Sequence, residues 1–396
     1  MKIKSVQTIV LRVPLGGERF LSSQWAFSER NSLLVRVETD EGITGWGEGG
    51  QYGPPEPVES CIRHVLTPMV LGRDPFQKGR LWHEMYSATR DFGQKGAYVE
   101  AISAIDIALW DITGQALGQP VHTLLGGAFR QSVAAYATGC YYRSDNYLDL
   151  TSTLPQLAAE AHSYAEVGFR TLKMKVGLLS VEQDLERVAA VREAIGPNRI
   201  LLVDANHAYN SMTAFQMAKG LERYGVRWFE EPVVPEDREG YRFLRRSLTV
   251  PIAGGECEYT RYGFRDLIAG GCVDIVQPDI CVAGGFSEWM KILALAESYG
   301  VPAIPHVWGS GVALTAALHA LAALAPCPHT ANPVVLQNEP VVEYDRNHNP
   351  LRDDLLSVPI RVVNGRLPVP QGPGLGIGIR EDVLAEYSGS GVLVEK

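Results

Sequence analysis

The chain has 396 residues, 46% hydrophobic and 20% charged, which is ordinary globular composition. No apolar run reaches the ~18 residues of a membrane span, and a formal net charge of −9 argues against nucleic acid as a partner. An anionic ligand therefore has to be held by a local cluster of positive charge.

The opening stretch Met1–Val13 alternates charged and apolar residues and reads as a strand rather than a secretory signal. Lys4–Val13 and Ser32–Val37 are the first two predicted strands, and the turn Thr39-Asp40-Glu41-Gly42 leads to a return strand at Ile43–Glu48. Two Gly-rich loops, Gly16–Asn31 with Trp25 and Phe27, and Gly49–Pro57 with Gln51 and Tyr52, are long enough to act as lids. Helical patterns follow at Pro57–Val70, Phe76–Ala88 and Tyr98–Leu117. Six scattered cysteines (Cys61, Cys140, Cys257, Cys272, Cys281 and Cys327) form no Cys-x-x-Cys pair and suit reduced thiols in a cytoplasmic protein.

From Ser132 the texture changes. Strand Val133–Ala137 precedes helix Leu154–Val167, and strand Thr171–Val176 precedes helix Val181–Ile195. Further strands at Ile200–Asp204, Trp228–Glu230, Ile252–Gly254, Asp274–Gln277 and Pro302–Ile304 each lead into a helical pattern. A repeated βα unit calls for a parallel sheet, and this many units fit a closed α/β barrel better than an open sheet. The eighth strand falls within Val334–Tyr344. The tail Asn349–Lys396, with a strand-like piece at Ile360–Val363, is expected to pack back on the first domain.

Strand ends carry the chemistry. Asp204, Glu230 and Glu256 are 26 residues apart, one βα unit each, so a barrel brings them to one mouth. Three converging carboxylates need a cation to stay ionised, and hard oxygen donors suit Mg²⁺ better than Zn²⁺. Lys173 and Lys175 alternate by two and face the same way; their mutual repulsion beside Mg²⁺ predicts a lowered pKa for at least one, which a base near neutral pH needs. Asp279 and His306 close adjacent strands, as a carboxylate orienting an imidazole would. Such a set suits removal of the proton next to a carboxylate, because Mg²⁺ and Lys⁺ neutralise the charge that develops.

At these residues, and from Ala108-Leu109-Trp110-Asp111 to Leu124-Leu125-Gly126-Gly127, the sequence resembles the mandelate racemase subgroup of the enolase superfamily over essentially its whole length. The resemblance implies a modified (β/α)7β TIM-type barrel (residues 128–345) under an N-terminal α+β capping domain (1–127), with 346–396 returning to the cap. It implies one Mg²⁺ held by Asp204, Glu230 and Glu256, with Lys175 as one base and Lys173 on the substrate carboxylate. It further implies a second base in His306 paired with Asp279, a substrate contact in Asn206, and a hydrogen bond donated by Glu343, with Glu339 the alternative. Tyr141, His207, Trp25 and Trp308 are further candidate substrate contacts, and a homo-oligomer is expected by resemblance. Stretches such as Trp228–Glu236, His306–Gly311 and Asn347-His348-Asn349-Pro350 look most like acid-sugar enzymes of the family.

Three reactions share this residue set: cycloisomerisation of a sugar lactone or anhydro-sugar acid, dehydration of an acid sugar, and racemisation or epimerisation of an α-hydroxy acid. A metal-dependent barrel hydrolase usually carries His-x-His on its first strand, and Val133–Thr138 has no histidine. A barrel kept only for binding predicts gaps among ligands and bases, and none is seen.

Overall fold

The computed structural model describes residues 1–17, 19–50, 53–143 and 146–395, the stretch 389–395 as backbone only. The cap is an antiparallel sheet in which Ile3–Pro14 pairs with Glu29–Thr39, which pairs with Thr44–Gly49. Its inner face packs on helix Ala97–Leu117, joining Leu33, Val35 and Val37 to Ile102, Ile105 and Leu109. The Gly45-x-Gly47-x-Gly49 repeat explains how closely they meet. A Cβ at these positions would lie 2.3, 1.9 and 2.6 Å from the carbonyl oxygens of Ala108, Ala104 and Glu100, so only glycine lets the helix backbone in.

The first lid is more ordered than a loop. Phe20–Leu21 pairs with Ala26–Phe27, and the second cap strand starts at Glu29, opposite Pro14. Arg30 and Ser32 point inward and are buried there, which extends the ladder three residues beyond the apolar run that sequence periodicity detects. In the second lid loop, Gln51 and Tyr52 lie outside the described residues.

The barrel strands run in order from Ser132–Thr138 through Thr171–Lys175, Ile200–Asp204, Val226–Glu230 and Ile252–Gly254 to Ile275–Val276, all parallel. The seventh, expected over Pro302–Ile304, narrows to one bridge between Val276 and Ala303; Pro302 and Pro305 supply no ladder N–H. The eighth, Val341–Asp345, lies beside the first, so seven βα units and a last strand make the modified barrel. Ile360–Val363 is not a strand: Val363 forms the turn into Arg366–Pro368, which pairs antiparallel with the first barrel strand. The tail thus packs on the barrel before Ser388–Glu395 adds to the cap sheet beside Ile3–Pro14.

Buried carboxylates line the seam between cap and barrel. Glu48 accepts from Ser32 Oγ (2.7 Å), Ser310 N (2.8 Å), Ser310 Oγ (2.6 Å) and Ala313 N (2.8 Å). It thereby pins the cap to the N-terminus of helix Gly311–Ala323, an end that favours negative charge. Asp106 accepts from Ser287 N at 2.9 Å and Asp111 from Trp46 N at 2.9 Å. Burial pushes Asp106 up to about 7 and Asp111 to about 6. A carboxyl whose folded pKa is raised contributes stability below its ordinary value and loses it as pH rises through the folded one. Asp106→Asn, which keeps the acceptor, should therefore gain stability relative to the parent between pH 4 and 7, by at most about 1.4 kcal/mol per pH unit. Thermal unfolding across that window checks this, and a constant difference in Tm would refute it.

Candidate active site

Adjacent barrel strands place Lys175 opposite Asp204 and Asp204 opposite Glu230. The next strand ends two residues before Glu256, so its carboxylate reaches the same mouth. Ligand-capable oxygens of Asp204, Glu230 and Glu256 all lie within 4.8 Å of one another, and all three residues are buried. Asp204 ion-pairs with Lys175 Nζ, while its Oδ1 accepts from Asn206 N at 2.9 Å. Glu230 accepts from Lys173 Nζ at 2.6 Å and, on its other oxygen, from Trp228 Nε1 at 2.9 Å. Trp228 stands two residues before Glu230 on one strand face, so this partner was readable from the alternation.

Lys173, 1% exposed, also lies 2.9 Å from Glu343 and 3.6 Å from Asp204. Burial works against its charge, but Glu230 and Glu343 outweigh it and hold its pKa well above the ordinary lysine value. For Lys175 burial is likewise outweighed, by Asp204 and then Tyr141. Asp204 stands against Lys175, and Glu230 and Glu343 against Lys173, so without a bound cation these carboxylates outweigh the repulsion that is expected beside Mg²⁺.

Glu343 accepts from Thr138 Oγ1 at 2.5 Å and from Val307 N at 3.3 Å. Burial alone would raise its pKa, but Lys173 and His306 bring it down to about 2. In these contacts within the protein it serves as an acceptor. Glu339, the alternative, pairs with Arg366 at 2.7 Å and does not meet Lys173.

His306 Nδ1 is 2.8 Å from Asp279 Oδ2, and its Nε2 is 3.7 Å from Glu256. Asp279 is held by Cys281 N at 2.8 Å. This partner fixes a proton on Nδ1 and leaves Nε2 for the cavity. Burial opposes the imidazolium, yet Glu256 and Asp279 lift its pKa to about 9. Asp279→Asn is expected to move the His306 titration, followed by NMR of the ring, toward neutrality, and to lower turnover by about 10²-fold. An unmoved midpoint would show that Asp279 does not act through the imidazole.

Lys175, Asn206, Glu256 and His306 line a cavity of about 280 Å³ together with Tyr141, Trp308 and Trp25, and the Tyr141 ring lies 5.3 Å from Lys175 Nζ. Of the five expected substrate contacts, only His207 is not among these lining residues. Asn206, His207 and Glu231 adopt left-handed φ of 44°, 65° and 42°, costly for non-glycine residues and frequent at functional sites. That turn sends His207 back against Glu231, 2.7 Å away. Sequence reasoning missed Arg30, hidden in a stretch read as loop, and Thr138, which ends the first barrel strand just as the other site residues end theirs.

Asp204, Glu230, Glu231, Glu256, Asp279 and Glu343 are buried around this mouth, against Lys173, Lys175 and His306 as buried cations. Six acids facing three cations leave an excess of negative charge, which a divalent ion with hard oxygen ligands fits.

Comparison with known proteins identifies the family. Residues 10–126 match the model of the mandelate racemase / muconate lactonizing enzyme N-terminal domain, and residues 156–383 match that of the enolase C-terminal domain-like family. The chain is 44% identical to D-galactarolactone cycloisomerase of Agrobacterium fabrum, over 98% of this chain and 99% of the relative. Among solved structures, the 3,6-anhydro-D-galactonate cycloisomerase of Zobellia galactanivorans superposes with a TM-score of 0.86 at 42% identity, covering 98% of this chain and 100% of that one. L-Talarate dehydratase from Polaromonas sp. JS666, complexed with Mg and L-glucarate, superposes with a TM-score of 0.83 at 29% identity, over 100% and 99% of the two chains.

Proposed function

This chain belongs to the mandelate racemase / muconate lactonizing enzyme family of the enolase superfamily, and we propose that it cycloisomerises an acid sugar in lactone or anhydro-ring form. The carrying observation is the pair Lys175 and His306, a lysine and an imidazole at one cavity beside a buried carboxylate trio. Asp204, Glu230 and Glu256 would hold Mg²⁺, which when bound supplies positive charge to the substrate carboxylate.

The protein's own groups divide the remaining work. Lys173, kept protonated by Glu230 and Glu343, offers an N–H to the substrate carboxylate. Lys175 takes the α-proton on Nζ; its raised pKa rests on Asp204, so any cation taken up by Asp204 makes that proton easier to lose. His306, as an imidazolium whose Nδ1 proton is held by Asp279, gives the proton of Nε2 to the ring oxygen as its bond to the β-carbon breaks and the electron pair passes to that oxygen. The enol then becomes a 2-keto-3-deoxy acid, and no atoms are lost. The aromatic side chains of the cavity lining, Phe27, Tyr141 and Trp308 among them, keep water from the reacting centre.

The dehydratase relative supports a second reading, in which the leaving oxygen is a free hydroxyl and departs as water. Incubation with aldonates, aldarates, anhydro-aldonates and lactones, followed by mass spectrometry, separates the two. A product of unchanged mass is expected. A product lighter by one water assigns the dehydratase, and failure of every one of these acids to exchange its α-proton would refute both.

A further inference from the structure

The three loops that carry Asp204, Glu230 and Glu256 also gather His207, Glu231 and Cys257, whose donor atoms all lie within 4.8 Å of one another. His207 Nε2 stands 2.7 Å from Glu231 Oε2 and 3.8 Å from Cys257 Sγ. Backbone bonds fix the frame: His207 N donates to Glu231 O at 2.8 Å, and Glu231 N to Ala253 O at 3.0 Å. Glu231 is 1% exposed, and its Oε2 accepts no hydrogen bond although His207 Nε2 is so near. A buried carboxylate oxygen left in that state is costly, and a cation shared with the imidazole would satisfy it. Lys173, Lys175 and His306 pair with other acids, so among the described residues Glu231 has only His207 as a partner at ion-pair distance. None of the three residues lines the cavity of Lys175 and His306, while His207 and Cys257 are half-buried. An ion among them therefore does not take the substrate's place.

We infer that His207 Nε2, Glu231 and Cys257 Sγ form a second metal site, for a divalent ion of the Zn²⁺ or Co²⁺ kind, beside the carboxylate trio. The donor sets divide the two sites. Three carboxylates suit a hard ion, whereas imidazole with thiolate suits Zn²⁺ and its neighbours and offers Mg²⁺ little. Around tetrahedral zinc, with bonds of about 2.0 to 2.3 Å, the N, O and S donors lie roughly 3.4 to 3.6 Å apart. The separations of 2.7 and 3.8 Å reach that geometry with side-chain shifts of less than about 1 Å. Three protein ligands leave the fourth position to water. On coordination the thiol of Cys257 releases its proton to solvent and its sulfur bonds the metal. The site does not depend on the α-proton chemistry, and it holds whichever acid sugar is the substrate.

The test titrates Co²⁺ into the Mg²⁺-saturated protein and follows its absorption. Thiolate bound to Co²⁺ gives a near-ultraviolet charge-transfer band that a carboxylate site cannot give, so Co²⁺ displacing Mg²⁺ from the trio is not mistaken for the second site. One band-forming Co²⁺ per chain is expected, and added Zn²⁺ should bleach it. Cys257→Ser should abolish the band, whereas Cys327→Ser, at a half-buried thiol lining a different cavity, should keep it. His207→Asn retains the thiol and should weaken Co²⁺ binding by about 10²-fold, the upper end of what losing an outer partner costs; it carries the test if Cys257→Ser does not fold. No band at saturating Co²⁺, or a band that survives Cys257→Ser, would overturn the inference and leave His207 and Glu231 as an internal pair. Neither readout uses turnover, so that failure would leave the cycloisomerase reading untouched.

Discussion

Lys175→Ala is expected to lower kcat by about 10³- to 10⁴-fold and to abolish exchange of α-deuterium, whereas His306→Asn should stop turnover as severely yet keep exchange. Lys175 Nζ and His306 stand at the same cavity but in different protonation regimes. His306 Nδ1 is held by Asp279 at 2.8 Å, which favours the imidazolium and leaves it a proton on Nε2 to give. Lys175 owes its charge to Asp204, the residue whose charge is shared once a cation binds. If the lysine is the base, its loss prevents the first proton transfer; if the imidazole is the acid, its loss leaves that transfer reversible and exchange continues. Exchange that survives Lys175→Ala and disappears in His306→Asn would reverse the roles, and exchange unaffected by either would remove both from the chemistry. Unfolding temperature serves as the control for folding, since Lys175→Ala leaves Asp204 with Lys173 at 3.6 Å as its remaining cation.

The barrel and its charged mouth were legible because a parallel strand ends where its apolar run stops. Asp204, Glu230 and Glu256 each close such a run, and equal spacing in sequence becomes equal height in the barrel. What the sequence concealed depends on contacts between distant segments. Arg30 sits in a stretch rich in Ser, Gly and aromatics, and is buried because Asp345, far along the chain, meets it. The Phe20–Leu21 hairpin takes its place partly from Leu21 bonding Tyr142 across the mouth, at 2.7 Å for Leu21 N to Tyr142 O. Side-chain charge was also beyond reach. Repulsion between Lys173 and Lys175 follows from their spacing alone, but its outweighing by Glu230, Glu343 and Asp204 requires knowing which carboxylate stands against which ammonium.

Removing Mg²⁺ with a chelator is expected to reduce turnover to background and adding it back to restore it, and Asp204→Asn or Glu256→Gln should do the same irreversibly. The second consequence concerns protons. Glu230 is pushed up to about 7 by burial, against the pull of Lys173, and a carboxylate has to be deprotonated to serve as a metal ligand. Affinity for Mg²⁺ should therefore fall as pH drops below 7 and level off above 8. Calorimetry in buffers of different ionisation enthalpy should detect proton release on binding at pH 6 and little at pH 8.5. Saturating Mg²⁺ at about 100 times its Kd should add about 2.7 kcal/mol to the parent's stability and nothing to Asp204→Asn. Trp228→Phe offers a finer variant, since it removes the N–H that Glu230 accepts at 2.9 Å while keeping an aromatic ring in place; weaker Mg²⁺ binding by about 10-fold is expected from a partner that orients a ligand. Proton release that is equal at both pH values, or a Mg²⁺ response retained by Asp204→Asn, would move the ion away from this carboxylate trio and with it the charge that the reaction needs.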